Sequence, residues 1–168
     1  MIVFETKRLL LREMTQNDFN DLCEVFCDKD LMCYYPYEFD ENKVKYWIDY
    51  NIKRYEIFGI GLWSVVLKET GEVIGDCGIT MQNIDGFICP EIGYHIKRKY
   101  QRCGYAKEAA GNCRDWVFDN TIFLKVFSYM RKDNIPSRKT AESIGMKFLK
   151  EYKDDEGNSI VVYMCEKC

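Results

Sequence analysis

Residues Lys99–Ala109 read KYQRCGYAKEA. A basic, aromatic run meets one glycine, Gly104, and turns at once into an Ala/Lys/Glu pattern of helix formers. Residues 91–96 before it, EIGYHI, carry the branched and aromatic character of a strand. A strand that breaks over a glycine and restarts as a helix leaves the first helical N–H groups unpaired, at the positive end of the helix dipole. Such a turn can wrap an anion, most often a phosphate. Lys97, Arg98, Lys99, Arg102 and Lys107 surround it, although the whole chain has a net charge of -3. That local reversal of sign points to a small polyanionic ligand. A plain strand-to-helix turn with a solvated basic surface is the competing reading.

The rest of the chain narrows the choice. A length of 168 residues suits one domain, residues 1–168, with one sizeable core. The acidic total gives no reason to expect nucleic acid or an anionic membrane as a partner. No apolar run approaches the roughly 18 residues of a transmembrane helix. The start, MIVFETKRLLLREM, is charged from Glu5 onward and lacks a signal-peptide layout. A cytoplasmic protein is expected. The nine cysteines fall mostly in apolar patterns, such as Cys23 beside Leu22 and Phe26, and read as small hydrophobes. Cys165 and Cys168 form a lone C-x-x-C. Zinc would need two further ligands and His95 is the sole histidine, so no metal is expected.

Periodicity predicts a strand at 7–12 and a helix carrying Phe19, Leu22, Cys23 and Phe26, with Thr15 and Asp18 as its N-cap and third-position partner. A second helix follows Asp40. Strands are predicted at 62–68, through VIGDCGITM, and at 87–97. The two glycines of VIGDCGITM suggest a bulge or close backbone approach. A helix is expected from about Gly104 to Phe118, then a strand in IFLKVFSYM. Asn134 precedes a helix with Pro136 in its first turn and Gly145 past its end. Strands at 147–152 and 159–165 close the chain. Hairpins first and strand–helix–strand units later predict an α+β sheet with helices on its faces.

Two nucleotide loops are absent: there is no G-x-x-x-x-G-K-[ST] and no G-x-G-x-x-G. The pattern Gln101-x-x-Gly104-x-Ala106 instead resembles the Q/R-x-x-G-x-G/A loop of the GNAT superfamily of acyl-CoA N-acyltransferases. GYAKEA is similar to the G-Y-A-x-E-A of its ribosomal-protein N-terminal acetyltransferase branch. DNIPSRKTAESIGMKF resembles that branch's N-x-x-S-x-x-x-x-x-x-x-G-[FM] helix, with Asn134, Ser137 and Gly145 in register, and ETKRLLLREMTQNDF resembles its opening. The resemblance runs from about Thr6 to Met164. It implies a mixed, mostly antiparallel sheet, splayed after its central strand and flanked by about four helices.

The resemblance also implies a chemistry, acetyl transfer from acetyl-CoA to a primary amine by direct attack. The amine would belong to a small molecule or a protein N-terminus. The coenzyme pyrophosphate would sit on the amides of Gln101, Arg102, Cys103, Gly104, Tyr105 and Ala106. The pantetheine arm would pair with the backbone of Tyr94, His95 and Ile96 as an added strand. Asn134 would contact the pantetheine and Arg138 the nucleotide end. Glu91 is the candidate base and Ser137 the candidate acid. Against these stand structural roles: an exposed strand-end carboxylate for Glu91, a helix cap for Asn134, a first-turn serine for Ser137 and a surface arginine for Arg138. His95 is expected to be packed or solvent-facing, opposite Tyr94 and Ile96. Cys103 is expected to be a spectator, with a mixed disulfide to coenzyme A as the alternative. Many family members carry a tyrosine where this chain has Ala141, and some carry a glutamate where it has Tyr129. A non-catalytic acyl-CoA sensor therefore stays open as a second reading. The superfamily often dimerises, so a homodimer is a further option.

Overall fold

From Leu62 to Ile96 the sequence alternates apolar strands with turn residues, and in the computed structural model this stretch forms three consecutive antiparallel strands. The structure describes residues 1–167. In chain order the elements are β1 (Ile2–Glu5), β2 (Leu9–Arg12), α1 (Phe19–Phe26), α2 (Glu41–Phe58), β3 (Leu62–Leu67), β4 (Val73–Ile84), β5 (Phe87–Ile96), α3 (Tyr105–Asn120), β6 (Lys125–Arg131), α4 (Ile135–Ser143), β7 (Lys147–Lys153) and β8 (Ser159–Glu166). One eight-stranded sheet has the order β1-β2-β3-β4-β5-β6-β8-β7. Every neighbouring pair is antiparallel except β5 and β6, which run parallel and share the single registered pair Glu91–Phe127. This is the α+β, mostly antiparallel sheet with four α-helices that the sequence predicted, parted after β5.

Helices cover both faces. On one, Ala109, Ala110, Cys113 and Val117 of α3 pack on Leu11, Trp63, Val65, Cys77, Ile92 and Ile96. On the other, Leu22, Val25 and Phe26 of α1 and Val44 and Ile48 of α2 pack on Leu62, Val66 and Val73. The second helix starts at Asp40, whose side chain accepts from Lys43 N–H at 2.8 Å. Thr15 N–H donates to Asp18 Oδ2 at 2.9 Å, as its cap-like spacing suggested. Asp18 is buried and also takes two bonds from the Arg12 guanidinium, at 2.8 and 2.6 Å, and one from Ser64 Oγ at 2.8 Å. This ion pair, buried at its carboxylate end, locks the entry to α1 against the sheet.

The suspected close approach is real. A Cβ on Gly75 would collide with His95 O, and one on Gly78 with Gly61 O. The β3–β4 register shifts between Val65 and Val66, beside Gly75. Two boundaries differ from expectation. β1 was not anticipated, and β6 begins at Lys125, because Ile122 and Leu124 lie exposed in the turn after α3. Cys168, half of the C-x-x-C, lies outside the described residues. Among those described, no helix is long and apolar enough to cross a membrane.

Candidate active site

In an antiparallel pair, alternate residues point their backbone groups toward the partner strand. Lys97 N–H donates to Ile74 O at 2.8 Å, so the odd-numbered residues of β5 face β4. The even-numbered residues face the other way. Two bonds agree: Ser128 Oγ donates to Ile92 O at 3.2 Å, and Gln101 Nε2 donates to Ile96 O at 3.1 Å. Past the Glu91–Phe127 pair the two strands separate. The N–H groups of Tyr94 and Ile96 therefore open into the gap rather than into a ladder.

That gap leads to the loop of the opening stretch. Arg102 and Gly104 both take left-handed backbone angles, with φ of 61° and 82°. Such angles are uncommon for a side-chain-bearing residue and turn the chain tightly into α3. The first α3 amide with a helical acceptor is that of Glu108, which donates to Gly104 O at 3.0 Å. The earlier amides form the exposed helix start that can bind an anion. Arg8, which the sequence reading did not single out, fixes this turn. Its Nε donates to Glu108 Oε2 at 2.6 Å, its Nη1 to Cys103 O at 3.0 Å, and its guanidinium lies 4.3 Å from the centre of the Tyr105 ring. Glu108 also accepts from Thr6 Oγ1 at 2.6 Å and Arg8 N–H at 2.8 Å. These bonds outweigh burial and hold its carboxyl below the usual range.

The basic cluster is smaller than the sequence implied. Lys97 is buried, with Nζ at 2.6 Å from Asp21, 2.8 Å from Glu72 and 3.3 Å from Glu24. These three carboxylates sit close enough to hold a metal ion, but the ammonium already lies among them. Lys99 pairs with Glu72 at 2.8 Å, and Arg98 pairs with Asp28 and Asp30. Arg102 and Lys107 have no ion pair among the described residues and are exposed beside the bare amides. A groove of about 610 Å³ continues from Gly104 and Lys107 along α3 to Gly145.

Glu91 is not an exposed strand end. It lies mid-strand, partly buried, at the last pair before the sheet parts. Burial pushes its carboxyl up to about 7, against the pull of His95 and of a Thr80 hydroxyl at 3.4 Å. On the same face of β5, His95 is hydrogen-bonded at both nitrogens. Nδ1 lies 2.7 Å from Asp76 Oδ1, and Nε2 lies 2.6 Å from the Tyr35 hydroxyl. Asp76, fully buried, also accepts from Trp47 Nε1 at 2.9 Å. His95 is thus packed opposite Tyr94 and Ile96, as expected. Its partners were not foreseen, although a lone acid in the apolar strand VIGDCGITM was a visible signal.

Across the gap, Asn134 caps α4: its Oδ1 accepts from Ser137 N–H at 3.2 Å. Tyr94 reaches over from β5 and donates to Ser137 O at 2.8 Å, which brings these two predicted residues together. Arg138 is committed elsewhere. Its Nε donates to the Tyr163 hydroxyl at 3.2 Å and its Nη1 to Lys132 O at 3.1 Å, so it does not join the loop. Cys103 is exposed, and its thiol bonds weakly to Gln101 O at 3.4 Å. No hydrogen bond links Glu91 with Ser137 among the described residues.

Comparison with known proteins agrees with this geometry. The family model described as an acetyltransferase (GNAT) domain matches residues 8–147. The chain is 36% identical over 146 residues to the uncharacterized protein YkkB of Bacillus subtilis, covering 86% of this chain and 85% of that one. An acetyltransferase of the GNAT family from Bacillus anthracis superposes with a TM-score of 0.85 at 23% identity, over 99% of this chain and 98% of that one. RimL, a ribosomal α-N-protein acetyltransferase solved in complex with coenzyme A, superposes with a TM-score of 0.83 at 15% identity, over 99% and 98% of the two chains. A splayed sheet, a bare helix start at the mouth of the splay and a family match over most of the length lead to one conclusion: the chain belongs to the GNAT family of acetyltransferases and is an acyltransferase.

Proposed function

We propose that this protein transfers an acetyl group from acetyl-CoA to a primary amine, on a small molecule or a protein N-terminus, by direct attack. The observation that carries this reading is the continuity between two sets of unpartnered amides. Those of Tyr94 and Ile96 open into the gap, and those at the start of α3 lie at its end. A pantetheine arm pairing with β5 would run straight to a pyrophosphate on the Gln101–Ala106 loop, beside Arg102 and Lys107. The α3 groove, beside Lys107, which is unpaired among the described residues, offers room for the nucleotide end in place of Arg138. RimL's solved complex with coenzyme A supports the same ligand here.

The chemistry follows from what faces the thioester. A β5 amide donates to the carbonyl oxygen as negative charge develops there. Holding amine and thioester together removes most of the entropic barrier. An amine arrives largely as ammonium and must lose a proton before it attacks. Glu91, with its carboxyl near 7, is matched to accept that proton at neutral pH. Ser137, at the first turn of α4, whose backbone carbonyl accepts from the Tyr94 hydroxyl, is the residue we assign to protonate the leaving thiolate. Acetyl-CoA in excess should raise the melting temperature, and a panel of amines and N-terminal peptides should release free thiol. Stabilisation without thiol release from any amine would replace this reading with an acyl-CoA sensor.

A further inference from the structure

The Tyr35–His95–Asp76 chain lies on the Glu91 face of β5 and has no part in the mechanism so far. Three features make it more than packing. First, Asp76 is fully buried and each of its oxygens is hydrogen-bonded in place, Oδ2 to Trp47 Nε1–H and Oδ1 to His95 Nδ1. Second, a carboxylate can only accept, so the proton between them sits on Nδ1. The Nε2 lone pair of neutral His95 is then left to accept the Tyr35 O–H at 2.6 Å. Third, the Tyr35 oxygen keeps acceptor capacity for an outside donor. Glu91 and His95 flank Gly93 on this face, and a Cβ at Gly93 would lie 3.3 Å from Glu91 Oε2. The absent side chain lets the Glu91 carboxyl lie close against the Gly93 backbone, beside Leu62.

We propose that Tyr35, His95 and Asp76 form a proton relay that takes the second proton of the acceptor amine, with the Tyr35 oxygen contacting that amine. This rests on the reading of the Glu91 face as the amine side. An ammonium loses two protons on its way to an amide. Glu91 takes the first, before attack. The nitrogen lone pair then forms the C–N bond, the C–S bond breaks and the thiolate leaves with the electron pair. The second N–H proton moves to the Tyr35 oxygen while the Tyr35 proton moves to His95 Nε2. Asp76 holds the ring through Nδ1. Of the two protons, one ends on the coenzyme thiol and one in solvent. Burial raises the Tyr35 phenol well above its ordinary range, so it passes a proton on rather than ionising by itself. The titratable groups facing His95 are Asp76 on β4, Tyr35 in the α1–α2 connection and Glu91 on β5. The rings of Phe26 and Trp47 close its other sides.

His95 is the only histidine in the chain, which makes the first test independent of the acceptor's identity. One imidazole appears in the ¹⁵N spectrum, and at about pH 8 its neutral form should carry the proton on Nδ1. An Nε2–H tautomer overturns the relay. The second test is turnover of acetyl-CoA with 2-phenylethylamine and with an alanine-initiated hexapeptide. Tyr35→Phe and His95→Gln should each lower kcat by about 10²-fold, leave the KM for acetyl-CoA unchanged and cost no more together than singly. Glutamine at 95 can keep both hydrogen bonds yet cannot carry the proton, so an undiminished kcat in His95→Gln overturns the relay. Full activity in Glu91→Gln with a slow Tyr35→Phe removes Glu91 as the base and leaves the relay standing. The converse removes the relay and leaves Glu91.

Discussion

Replacing Glu91 by glutamine should make the protein more stable and less active, and the gain in stability should depend on pH. The carboxyl has an ordinary value of 4.5 and is pushed up to about 7 by burial at the parting of the sheet. Between those values the unfolded chain has released this proton and the folded chain still holds it. Stability therefore falls as pH rises across that window, and the whole penalty is present above pH 7. At 1.36 kcal/mol for each pH unit, the penalty is on the order of 3 kcal/mol. Glu91→Gln has no such titration. Urea unfolding of both proteins should give similar stabilities near about pH 4.5, and a variant ahead by up to about 3 kcal/mol near pH 8. In thiol-release assays the parent's kcat/KM should rise through about pH 7, and the variant should be slower by about 10² to 10⁴. A stability difference that is the same at both pH values would refute the claim that the fold holds this carboxyl protonated. The penalty is tolerable because active sites commonly trade stability for a group tuned to its task.

Gly104→Ala should destabilise the loop by about 1–2 kcal/mol through its φ of 82°, since Arg8 Nη2 at 3.4 Å leaves ordinary room for a methyl group. Acetyl-CoA should then raise the melting temperature less than in the parent. Asp18→Asn should cost about 1.5–3 kcal/mol in urea unfolding, because it removes the charged partner of the half-buried Arg12 guanidinium. Arg12, the Thr15 amide and Ser64 hold the Asp18 carboxyl below its ordinary 3.8 despite burial. Its contribution is therefore present above that value and lost as pH falls below it, so the variant should lose less stability than the parent on acidification. Ser137→Ala should lower kcat while leaving the acetyl-CoA KM unchanged, and an unaltered rate would remove Ser137 as the acid.

The α3 start, the α4 cap and the strand around EIGYHI were legible because each is a local pattern: one glycine, one Asn-Ile-Pro, one apolar alternation. β1 was not, because Ile2–Glu5 is a four-residue edge strand that ends on a charged residue, with Lys7 and Arg8 close behind it. The basic loop was over-read. Lys97, Arg98 and Lys99 are adjacent in sequence, but the acids that neutralise them come from α1, the loop after it and the residue before β4. Glu91 looked like a strand end because the sequence does not reveal where β6 joins. Once β6 supplies Phe127 opposite it, the same residue becomes the corner of the cleft. Asp76, His95 and Tyr35 lie on three separate segments, and only the folded sheet brings them within hydrogen-bonding distance.

The most direct test follows backbone amide resonances while acetyl-CoA is added. If acetyl-CoA binds as proposed, the signals of Tyr94, Ile96 and residues 102–106 shift saturably and their N–H protons become slow to exchange. Saturable binding that leaves those amides unmoved, or no binding at millimolar acetyl-CoA, would contradict it.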